Sequence, residues 1–175
     1  MADTGGLLRA LARTPEGGAS FPAYEAALTS ASRVILPGLV LAEVDYFLRN
    51  NRPAMRKLVA EVFDAGTRYE YELPLPSDLV RALEFDGKFK DLQLGLVDGT
   101  VVAVAERRQV YRVLTTDHRD FAAIRVGPRF ARALELVPGS DRSDGAAEQR
   151  VATDEGLLTA ATPLCDKSSL LNPER

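Results

Sequence analysis

The sequence predicts an α/β domain with a mainly parallel sheet. Short apolar or alternating runs, such as Val34-Ile35-Leu36 and Val113-Leu114, alternate with longer stretches of helical period. Gly and Pro clusters separate them at turn spacing, as in Thr14-Pro15-Glu16-Gly17-Gly18 and Pro37-Gly38. The length of 175 residues, 46% of them apolar, is enough for one domain with a real core.

Taken in order, Gly5 to Arg13 carries Leu7, Leu8, Leu11 and Ala12 at helical spacing and stops at the Thr14–Gly18 loop. Phe21 to Ala31 reads as a second helix, with Pro22 in its first turn. Arg33 to Leu36 is a short buried strand. Leu39 to Asn50 is an amphipathic helix closed by Asn50-Asn51-Arg52-Pro53, and Ala54 to Ala65 is the next, ended by Gly66. Arg68 to Leu73 alternates around Tyr69 and Tyr71 as a strand should. Pro76-Ser77-Asp78 opens a helix to about Phe85, and Gly87 to Gly95 reads as polar loop. Asp98 to Arg108 is a helix with Val101, Val102, Val104 and Ala105 on its buried side. Tyr111 to Leu114 and Leu134 to Val137 are the closing strands. From Gly139 the composition turns polar, so residues 139–175 are expected to be a mostly disordered tail, with a short helix around Glu155 to Ala161.

The net charge of −3 argues against a protein that coats nucleic acid through bulk charge, but leaves open a local site that handles RNA. The single cysteine, Cys165, excludes an internal disulfide and a cysteine-based zinc site, and the single histidine, His118, disfavours most zinc enzymes. A metal here would be held by oxygen, which points to Mg²⁺ or Mn²⁺. No apolar run reaches the ~18 residues of a membrane span and no signal peptide is visible, so the expected location is cytoplasmic.

Four acids fall where structure would gather them. Asp3 precedes the first helix, and Asp98 starts another, where free N–H groups and the helix dipole favour a carboxylate. Asp117 follows a strand at its carboxyl end, where open α/β sheets build sites. Glu43 lies within the apolar helix Val40-Leu41-Ala42-Glu43-Val44, on one face with Leu39 and Tyr46. An acid in such a stripe wants a partner, a metal or an arginine, unless it reaches solvent at the stripe's edge. Asp3 and Asp98 are also explained as helix caps, and Asp117 as a turn residue. As a set they suggest a divalent metal site.

The chain resembles the PIN-domain ribonucleases, and most of all the VapC toxins of bacterial toxin–antitoxin pairs. The resemblance rests on Asp3-Thr4-Gly5-Gly6-Leu7-Leu8, Leu39-Val40-Leu41-Ala42-Glu43-Val44, Leu96-Val97-Asp98-Gly99-Thr100-Val101-Val102-Ala103, and Val113-Leu114-Thr115-Thr116-Asp117 with Asp120-Phe121 after it. Order and spacing match across about residues 3 to 138. The resemblance implies a three-layer α/β/α domain over residues 1–138, and a homodimer. It implies that Asp3, Glu43, Asp98 and Asp117 form an acidic cluster that binds Mg²⁺ or Mn²⁺. It further implies a metal-dependent endoribonuclease, the toxin of a type II pair, held in check by a cognate antitoxin protein. In that setting Asp3, Asp98 and Asp117 bear on the metal and Glu43 orients or deprotonates water, with the roles open to exchange. Asp120, nearby, is a candidate assistant, although helix capping explains it as well, and Thr116 is a candidate to orient a ligand or water.

The chain departs from the family at its start. An apolar central strand normally precedes the first aspartate, and here only Met1 and Ala2 do. Either the true start lies upstream or the first strand is truncated; truncation predicts a gap in the sheet, a poorly placed Asp3 and an impaired protein that only binds an antitoxin or dimerises. Arg9, Arg13, Arg49, Arg52, Arg56 and Lys57 are candidates for an RNA path, although solvated surface charge explains them more simply. His118 is a weak candidate for a general base. Tyr46, Phe47 and Leu48 could serve an antitoxin groove, a dimer contact or core packing.

Overall fold

Ala2 lies between two pairs of parallel strands and joins them. In the computed structural model, which describes residues 1–139, β1 (Val34–Pro37) pairs with β2 (Tyr69–Glu72), and β3 (Arg112–Leu114) pairs with β6 (Glu135–Val137). The Ala2 N–H donates to Ile35 O at 2.9 Å on one side. On the other side Leu114 N–H donates to Met1 O, and Asp3 N–H donates to Leu114 O, each at 2.9 Å. The spatial order is therefore β2, β1, residues 1–3, β3, β6. This corrects the expected gap: three residues carry enough backbone donors and acceptors to bond both neighbours beside Asp3. Ala2 is fully buried and Met1 nearly so, as a central position requires.

Among the described residues, seven α-helices pack on this frame. They are α1 (Thr4–Leu11), α2 (Pro22–Ser30), α3 (Gly38–Phe47), α4 (Arg52–Val62), α5 (Pro76–Lys88), α6 (Leu96–Arg108) and α7 (His118–Ala123). β4 (Arg125–Val126) and β5 (Arg132–Ala133) form a small antiparallel pair. The α/β architecture with a mainly parallel sheet is as predicted. Every residue of α6 from Gly99 to Ala105 is buried, which is what a helix of small and β-branched apolar residues does when packed on several sides. Gly99 lets α5 come close, since a Cβ there would stand 3.0 Å from that of Ala82.

Several boundaries differ from the sequence reading. α3 ends at Phe47 and not at Asn50, and α4 spans Arg52–Val62 and not Ala54–Ala65. α6 begins two residues before Asp98, because Gly95 supplies the extended cap conformation without any side chain. The stretch from Gly87 to Gly95 is not simply loop: α5 runs to Lys88 and a 3₁₀ turn follows at Lys90–Leu92. Stacking of Phe85 on Phe89, with the edge of Phe130 against both, carries the chain through Gly87. The expected tail, including its helix at Glu155 to Ala161, lies outside the described residues.

The far end of α6 is clamped by charge. Asp78, almost wholly buried, accepts from Leu75 N–H at 2.8 Å and from Arg107 Nε at 2.9 Å. Arg107 also reaches Glu72 at 2.7 Å, and Arg108 pairs with Glu72 and Glu70. The network ties β2, α5 and α6 together.

Candidate active site

The α1 helix starts hard against the end of β3, and Gly5-Gly6 is the reason it can. A Cβ at Gly6 would lie 2.4 Å from Leu114 O, and one at Gly5 would lie 2.2 Å from Thr116 Oγ1. This approach sets Asp3 beside the loop that follows β3. Asp3 occupies the cap position of α1, yet its side chain makes no capping bond. Its Oδ2 accepts from Thr115 Oγ1 at 2.9 Å. The same hydroxyl oxygen accepts from Asp117 N–H at 3.0 Å. The simple reading of Asp3 as a cap is thus replaced by a contact across the sheet.

The other acids arrive from separate elements. Glu43 projects from the middle of α3 and is half-buried. Asp98 is the third residue of α6, and its carboxyl accepts from the Gly95 backbone. Asp117 caps α7 by accepting from Asp120 N–H at 3.1 Å.

The four lie near enough to act on one another's charge. The Asp98 carboxyl is pushed up to about 6, first by burial and then by the charges of Asp3, Glu43 and Asp117. Burial also holds Asp3 above the usual carboxylate range. Its bonds from Thr115 and the Thr4 backbone pull the other way, and the charges of Glu43 and Asp117 add to the rise. All four sequence-predicted acids therefore share one field.

The donor set suits a hard divalent cation in chemistry, being all oxygen and of one sign. The hydroxyls of Thr4 and Thr100, buried and unpartnered among the described residues, neighbour Asp3 and Asp98 in the chain. As the side chains stand, no three His, Cys, Asp or Glu of the described residues are placed to hold one ion. The cluster fits the ion in charge and donor type, without a closed coordination shell.

Among the other candidates, Asp120 stays beside the cluster, its N–H bonded to Asp117. Asp120 pairs with Arg119 at 2.8 Å, which holds its carboxyl below the usual range. Thr115, not Thr116, provides the bonding hydroxyl; the choice turns on which of two adjacent threonines faces Asp3, which residue type alone does not reveal. Arg13 pairs with Glu25 at 2.9 Å and Arg52 with Asp45 at 2.5 Å, while Arg9 lies over the rings of Phe21 and Tyr24. These three serve local structure rather than a continuous path.

Comparison with known proteins identifies the family. The PIN domain family matches residues 1–127. Ribonuclease VapC26 of Mycobacterium tuberculosis is 27% identical over 97 residues, which covers 55% of this chain and 72% of that protein. The crystal structure of Mycobacterium tuberculosis VapC20, described as a Sarcin-Ricin loop cleaving toxin, aligns with a TM-score of 0.59 at 21% identity. The alignment covers 70% of this chain and 92% of that one, a likeness of fold. With the family match running from the central segment through the loop of Asp117, the chain belongs to the PIN domain family.

Proposed function

We propose that this chain is a metal-dependent endoribonuclease, acting in the cytoplasm as the toxin of a type II toxin–antitoxin pair. The observation that carries the reading is the delivery by four separate elements of Asp3, Glu43, Asp98 and Asp117 to places where the charges of the other three act on the Asp98 carboxyl. The names of its VapC relatives, a ribonuclease and an RNA-loop-cleaving toxin, support it. Asp3, Asp98 and Asp117 would hold Mg²⁺ or Mn²⁺. Bound there, the ion would activate water, stabilise charge on the phosphate and reverse the local negative potential for a polyanionic substrate. Glu43, on the facing helix, orients the attacking water and accepts its proton. Thr115 fixes the Asp3 carboxylate through its hydroxyl.

The catalytic unit of this proposal is residues 1–138. A cognate antitoxin would meet the acidic cluster with a basic side chain. A homodimer would cover exposed apolar side chains such as Val80 and Leu83, one turn apart on α5. The backbone bonds of residues 1–3 favour an active site over the impaired, binding-only alternative. The test is cleavage of a structured RNA pool with Mg²⁺ or Mn²⁺ by the chain and by Asp98→Ala. Metal-dependent cleavage lost in a folded Asp98→Ala supports the reading; cleavage retained in that variant sinks it.

A further inference from the structure

We propose that Tyr46, with Arg49 against its ring, is a stacking platform for an unpaired base of the substrate beside the acidic cluster; this rests on the ribonuclease reading above. Tyr46 follows Glu43 by one turn of α3, so their Cβ atoms are about 5–6 Å apart on one face. The charge of Glu43 reaches both Asp3 and Asp98, which sets the ring at the rim of the cluster. The ring is not core: Tyr46 is 62% exposed, while Val40 and Val44 take the buried side of the same helix.

Arg49 makes this more than a stray aromatic. Its guanidinium lies 4.4 Å from the Tyr46 ring centroid, and its Nη1 donates to Tyr46 O at 2.9 Å. Ring and cation are thereby held as a unit. Unlike Arg13 and Arg52, Arg49 has no carboxylate partner among the described residues. Phe47 packs edge to face with the ring at 5.7 Å, and Tyr46 stays 62% exposed; this exposed aromatic and an unopposed cation, one helical turn from a site crowded with carboxylates, match a planar base with a phosphate attached. Stacking reads any base whose face is free, so the ligand class is looped or single-stranded RNA, not duplex.

The test titrates the full chain with a stem–loop RNA carrying 2-aminopurine in its loop, with Ca²⁺ in place of Mg²⁺, reading affinity and fluorescence quenching. Tyr46→Phe is expected to bind within about threefold of the parent, while Tyr46→Leu and Tyr46→Ala weaken binding about ten- to a hundredfold and lose the quench. Arg49→Gln is expected to lower the slope of log Kd against log salt by about 0.7, one phosphate contact on single-stranded RNA. Melting temperature and Mn²⁺ affinity should not change in the Tyr46 variants. Parent-like binding by Tyr46→Leu or Tyr46→Ala overturns the proposal and leaves the ribonuclease reading standing. So does a loss of dimer or of protein-partner binding with RNA affinity intact, which would assign the face to a protein contact. A parent chain that neither binds nor cleaves RNA overturns both.

Discussion

The hydroxyl of Thr115 donates to Asp3 Oδ2 at 2.9 Å, joining residues 112 positions apart, and accepts from the N–H of Asp117 at 3.0 Å. One buried oxygen thus fixes a carboxylate and the loop carrying a second. Thr115→Val keeps the shape and removes both bonds. It is expected to cost about 1–3 kcal/mol of stability, and to weaken Mn²⁺ binding at least tenfold. Thr115→Ser should restore most of the affinity. Calorimetric Mn²⁺ titration of the three proteins checks this; equal affinities would show that the hydroxyl does not position Asp3.

Burial, with crowding of like charges added to it, predicts an unusual pH response. The folded Asp98 carboxyl is raised to about 6, above its ordinary value, so its stabilising contribution is complete below about pH 4 and is lost as pH rises through about 6. The metal-free protein should therefore melt lower at pH 7 than at pH 5 as far as this group is concerned. Asp98→Asn should raise the pH 7 stability by on the order of 2 kcal/mol, after the discount for solvent screening, and flatten the pH profile. Added Mg²⁺ should stabilise the parent more at pH 7 than at pH 5. Scanning calorimetry across this range, with and without Mg²⁺, decides it.

The paired glycines give a graded steric test. Gly6→Ala drives a Cβ into the Leu114 backbone, which cannot rotate away, whereas Gly5→Ala meets the Thr116 hydroxyl, which can. The expected losses in urea unfolding are about 3 kcal/mol for Gly6→Ala and about 1 kcal/mol for Gly5→Ala. The reverse ranking would mean that α1 lies further from β3 than described.

The clamp on α6 should matter for stability alone. Asp78→Ala removes the acceptor of the Leu75 N–H and of Arg107 Nε, leaving Arg107 to Glu72, at a cost of about 1–3 kcal/mol. At a temperature where the variant stays folded, its Mn²⁺ affinity should match the parent. A fall in affinity would show that the clamp also sets the position of Asp98.

Much of this was legible in the sequence, for identifiable reasons. Helices α2, α4 and α5 announce themselves because Pro22, Pro53 and Pro76 stand in their first turns. The four acids could be read because each interrupts an apolar run or closes one. The filling of the sheet by residues 1–3 could not, because strand recognition needs a periodic run and two backbone bonds to β3 leave no periodicity. The pairs β4 and β5 are hidden for the same reason, at two residues each. The Asp78–Arg107 bond joins residues 29 apart through tertiary packing, and no local pattern encodes it.

The bond between Asp3 and Thr115 also bears on the order of events during synthesis. Asp3 is translated long before its anchor, Thr115, which lies 112 positions further on, with the last acid, Asp117, two residues beyond. Closing so long a loop belongs late in folding. Under the nuclease reading, a growing chain is harmless to the RNA around it, its own messenger and ribosome included, until nearly the whole domain has been made. Any fragment released before Asp117 carries an unfinished cluster. The hazard of making such an enzyme inside the cell is deferred by topology, before any inhibitor need arrive.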